Sequence, residues 1–174
     1  TDDDDCSSVM EQLSGAVAIF LALVLASAAA HKFYARERLV FATSRLLQIK
    51  TGLASPAMLS AAATESTTAL ALLFPQTRAV GAMFAVILWS GYFAALLAAA
   101  RRGETRLDCG CSFGTHANGI DRFVLLRPVA LSCLAAVLMV LPEGMDPVAP
   151  FAGLAFFTAY LAAGELADSW RTVR

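Results

Sequence analysis

Gln12 to Ala30 reads QLSGAVAIFLALVLASAAA, an unbroken run without a single charge. Its length meets the ~20 residues that an α-helix needs to cross a hydrocarbon core. Gly15, Ala26, Ala28, Ala29 and Ala30 give it the small side chains that let helices approach closely in lipid. Working outward, four more apolar runs follow at 55–74, 79–100, 123–141 and 148–167. The composition agrees, with 58% hydrophobic and 16% charged residues and a mean hydropathy of +0.65. These values exclude an ordinary soluble domain. The expectation is an all-α, polytopic membrane helix bundle of about five transmembrane helices, forming one domain over residues 1–174. No basic patch suited to nucleic acid is present.

Ahead of the first run, Asp2, Asp3, Asp4, Asp5 and Glu11 carry no basic counterpart, which reads as a solvated acidic tail over 1–11 containing Cys6. Behind it, His31 and Lys32 mark the water line, and His31 is a candidate proton donor or acceptor for a nearby centre. Residues 31–50 hold Lys32, Arg36, Arg38, Arg45 and Lys50 against Glu37. Leu39, Ala42, Leu46 and Ile49 recur there at helical spacing, with Arg38 and Arg45 off the stripe. That pattern predicts a short amphipathic helix lying along the membrane surface.

Ser55 and Pro56 predict the start of the second span, as N-cap and first-turn proline. Its centre is polar: Thr64, Glu65, Ser66, Thr67 and Thr68. An ionised group at mid-bilayer costs at least ~2.5 kcal/mol, so Glu65 is expected to face the bundle interior as a neutral or hydrogen-bonded acid. It serves either as a proton relay or ligand contact, or as a polar clamp between helices.

The segment 101–122 is the polar interruption that carries chemistry, reading LDCGCSFG from Leu107 to Gly114. Two thiols separated by one glycine, Cys109 and Cys111, close only a tight and strained disulfide, and strain makes the bond exchange-active. The spacing therefore points to thiol–disulfide redox work. A Gly-rich turn with incidental cysteines, or half of a metal site, are the alternatives; His116 and Asp108 are the nearest further ligands, and structural zinc more often uses C-x2-4-C pairs. No metal is expected. Arg127, in the first turns of the fourth span, can snorkel to the side of this loop and favour a thiolate, an effect that Asp108 opposes. Cys133 within that span reads as an inert small hydrophobe.

Counting basic residues outside the spans gives eleven on the side of 31–50, 101–122 and the C-terminus, against Arg78 alone on the other. The positive-inside rule then puts the cysteine pair in the cytoplasm.

The His31-Lys32 pair closing the first span, Glu65 in the second, Arg102-Gly103 leaving the third, and Asp108-Cys109-Gly110-Cys111 followed by Gly114 together resemble the MauE family of methylamine-utilisation membrane proteins, which is related to the DoxX-like group. The similarity extends over most of residues 15–165, and the DCGC element is its specific part. The resemblance implies a multi-pass protein of the cell inner membrane that assists disulfide formation in the small subunit of methylamine dehydrogenase, alongside a thioredoxin-like, MauD-like partner. That role implies a periplasmic cysteine pair, opposite to the charge count. The architecture is more distantly similar to vitamin K epoxide reductases, which implies a membrane quinone as electron acceptor, although the chain has CxC where that family has CxxC. A second reading from the residues keeps a small transporter or ligand-binding bundle centred on Glu65.

Overall fold

The computed structural model describes residues 2–103, 122–142, 144 and 147–172. Asp108, Cys109, Cys111 and His116 lie outside the described residues. Those described form six helices: α1 (Asp2–Tyr34), α2 (Arg36–Leu47), α3 (Thr51–Leu73), α4 (Pro75–Arg101), α5 (Arg122–Leu138) and α6 (Ala149–Thr172). The all-α expectation holds. α1 is the central helix, packed along α3 on one flank and α6 on another, with α5 also in contact. α3 pairs with α4, and α4 with α5.

The core runs along α1 through Val17, Leu21, Val24 and Leu25, and reaches Leu72, Trp89, Leu131 and Leu138 on its neighbours. Small residues set how near the helices come. A Cβ on Gly153 of α6 would stand 2.8 Å from Ile19 of α1, and one on Gly81 of α4 would stand 3.0 Å from the backbone of Leu72 in α3. Among the described residues, three helical segments are long and apolar enough to cross a membrane, Ser8–Tyr34, Pro75–Arg101 and Ala149–Leu166, and Val124–Leu138 is a shorter apolar helix.

Several boundaries differ from the sequence reading, each for a local reason. The acidic stretch is not a separate tail, because α1 runs without a break from Asp2 through it. α3 starts at Thr51 behind Lys50 in an extended conformation, not at Ser55. Pro56 therefore sits one turn inside the helix, where its missing N–H forfeits a single bond close to the exposed start. The second span ends as expected before Pro75, which becomes the first residue of α4. α5 stops at Leu138, short of the expected Leu141, and α6 extends past Ala167 to Thr172.

α2 carries the predicted stripe: Leu39 is buried, Ala42 and Leu46 are half-buried, and Arg38 and Arg45 are exposed. The stripe is covered chiefly by α3, with α4 nearby. Arg102, just past α4, donates to the Leu46 carbonyl at 2.8 Å and satisfies a free acceptor in the last turn of α2.

Candidate functional site

Glu65 is fully buried inside the bundle. It is not a solitary acid. Lys32 Nζ donates to both carboxylate oxygens, at 2.6 Å to Oε1 and 2.8 Å to Oε2. Tyr92 Oη donates to Oε1 at 2.5 Å, and the ammonium also lies 5.3 Å from the Tyr92 ring centroid. Side chains from α1 and α4 thus converge on the single carboxylate of α3. The carboxyl is hydrogen-bonded through both oxygens inside the bundle, and the donor common to both is the Lys32 ammonium.

The sequence reading missed Lys32 by assigning it to the water line. In the structure it is 7% exposed, two residues before the end of α1. The signal was present, because an intramembrane carboxylate calls for a partner and Lys32 is the basic residue at the rim of the first span. His31 is half-buried in the same last turn.

The hydroxyls around Glu65 do not join it in a shared site. Thr64 and Thr67 are exposed, and they bond the carbonyls of Ser60 and Ala63; Ser66 bonds the carbonyl of Ala62. Each hydroxyl satisfies itself on its own helix, the usual fate of Ser and Thr in an apolar medium. Thr68 is buried beside Ala69.

Arg127 sits five residues past the start of α5, near the end of the segment that contains Cys109 and Cys111. Its Nε donates to the Tyr160 hydroxyl of α6, and its guanidinium carbon is 4.2 Å from the Tyr160 ring centroid. A groove of about 310 Å³ opens beside this pair, lined by Phe20, Leu126, Leu131 and Gly164 among others. Its polar donors, Arg127 and Tyr160, are clustered together. Among the described residues the groove lacks the opposed pair of donors that would grip both carbonyls of a quinone ring. No group of three His, Cys, Asp or Glu side chains able to hold a metal occurs among the described residues. Cys133 is a free thiol, exposed on α5.

A second buried cation had been counted as a loop charge. Arg78, 2% exposed, is the fourth residue of α4, and its Nη1 donates to Ser14 of α1 at 3.3 Å and to the Gly144 carbonyl at 2.8 Å. Ser14 in turn donates to the Pro142 carbonyl at 2.7 Å. These contacts tie the connection between α5 and α6 to the end of the bundle opposite Lys32.

The model of the family described as methylamine utilisation protein MauE matches residues 10–141. The chain belongs to the MauE family. It is similar to the methylamine utilization protein MauE of Methylophilus methylotrophus, with 30% identity over 125 residues, covering 71% of this chain and 66% of the relative. The match thus spans just under two thirds of the relative's length. No solved structure matches the chain. Family and apolar helices together make this a membrane protein of a family named for methylamine utilisation. Lys32 and Glu65, two of the residues behind the resemblance, meet in the core of the matched region, as do α1 and α3 that bear them.

Proposed function

We propose that the chain is a membrane thiol–disulfide oxidoreductase, or a maturation factor working by the same exchange, whose reactive pair is Cys109 and Cys111. The oxidised pair takes two electrons from a partner dithiol: a partner thiolate attacks one sulfur, a mixed disulfide forms, and the second partner thiol releases it. The products are the partner's disulfide and the two reduced thiols of this chain. The partner is a thioredoxin-like protein, and the pathway served is maturation of the methylamine dehydrogenase small subunit at the inner membrane.

The observation that carries the reading is the position of the CGC segment in the chain of a MauE-family bundle. In sequence it follows α4 and precedes α5, two helices packed against each other. Arg127 stands within about two turns of the downstream anchor, and a guanidinium brought beside a cysteine would favour its thiolate. Lys32, Glu65 and Tyr92 clamp α1, α3 and α4 below that end; Tyr92 lies nine residues before Arg101, or roughly 14 Å along α4 at 1.5 Å per residue. At that distance the triad supports the anchor helices rather than touching the anchor itself. We further propose that all of α1, α3, α4, α5 and α6 cross the bilayer.

The test is to make Cys109→Ser and Cys111→Ser separately and resolve membranes on non-reducing gels. One variant is expected to accumulate a covalent adduct with a thioredoxin-like protein, which dithiothreitol removes. Full methylamine-dependent function in the double serine variant would end the proposal.

A further inference from the structure

α5 and α6 both flank α1, yet they have almost no packed interface with each other among the described residues. The space between them is the groove described above. Phe20 of α1 forms its floor, Ala130 and Leu131 of α5 one wall, and Gly164 of α6 the other. Phe20 meets Tyr160 edge-to-face, with ring centroids 5.6 Å apart, and Arg127 reaches across to the same tyrosine. The groove is therefore apolar, with a cation and a phenol as its polar feature.

We propose that this groove binds one anionic phospholipid, with an acyl chain between α5 and α6 and the phosphodiester on Arg127 and Tyr160. Three observations favour that occupant. The groove lies between helices of a membrane bundle, where the surrounding solvent is acyl chain, and its volume is at the lower end of ligand-sized sites. Among the described residues, the charged one that lines it is an arginine, whose planar fork matches a phosphate's oxygens. Exposed basic residues also gather at this end of the bundle, with Arg36, Arg38 and Arg45 on α2 and Arg101 and Arg102 where α4 ends. Such clusters attract anionic headgroups. The lipid wedges α5 against α6 and so braces the helix on which the CGC segment ends; the site itself does not depend on the redox proposal.

The experiment uses the full chain in neutral detergent, with retention of added lipid measured by native mass spectrometry and thermal unfolding measured in parallel. Phosphatidylglycerol is expected to be retained at least tenfold more tightly than phosphatidylcholine with the same chains, and to raise the unfolding temperature. Arg127→Gln should abolish the preference. Gly164→Leu should abolish binding while the protein still folds, because a Cβ at Gly164 meets nothing within 4 Å and the new side chain fills the groove. The Cys109→Ser, Cys111→Ser double variant should bind as the parent does. Equal retention of the two lipids, competition by inorganic phosphate alone at the lipid's concentration, displacement by a short-chain quinone, or undiminished binding to Gly164→Leu would each overturn the proposal.

Discussion

Lys32 and Arg78 are two buried cations at opposite ends of one bundle, and they are held in different ways. Lys32 meets a carboxylate and joins three helices through side chains. Arg78 meets a hydroxyl and a main-chain carbonyl, and joins α4 to α1 and to the connection after α5. An ion pair can be removed as a unit, because each charge exists to satisfy the other. Arg78 also holds the main-chain carbonyl of Gly144, an acceptor that no side-chain substitution deletes.

Breaking the pair from one side has the largest expected effect. Lys32→Met strands the fully buried Glu65 without its cation and should cost roughly 3–5 kcal/mol, read from reversible unfolding in mixed micelles. A cost below about 1 kcal/mol would mean that water reaches Glu65 and that the pair is not desolvated. Tyr92→Phe removes one hydrogen bond to a charged group and should cost about 2 kcal/mol in the same assay. At the other end, Arg78→Met leaves the half-buried Gly144 carbonyl to find other donors, with an expected loss of about 1 kcal/mol. The smallest effect is expected from Lys32→Met combined with Glu65→Met, which should fall within about 1 kcal/mol of the parent. The pair is then testable in one comparison of single against double variant, because only the second substitution removes the stranded carboxylate.

The helical architecture was legible because apolar run length is a direct physical requirement of the bilayer. Gln12 to Ala30 needed nothing but its own composition to be read as a helix. Boundaries were less so, since Pro56 signals a helix start only when nothing upstream can propagate the helix, and Thr51 to Ser55 can. The site was half legible. The cost of a bare carboxylate made Glu65 a buried residue from sequence alone, whereas its partners come from α1 and α4, 33 and 27 positions away, and only packing brings them together. The neighbouring hydroxyls misled for a definite reason: proximity in sequence put them beside Glu65, but successive helical residues point in different directions, and Thr64 and Thr67 turn outward. Arg78 was misplaced because a charge three residues after Pro75 looks like a loop residue until Pro75 proves to be the first residue of the helix.

The central functional claim is that Cys109 and Cys111 cycle between dithiol and disulfide. The most direct measurement is differential alkylation in intact cells, blocking free thiols first and then labelling with a mass-shifting maleimide after reduction. A protein carrying Cys6→Ser and Cys133→Ser isolates the pair. The account predicts that both cysteines take up the second label only after reduction, and that the oxidised fraction falls when a thioredoxin-like dithiol is supplied. Complete labelling in the first step under every condition would contradict it.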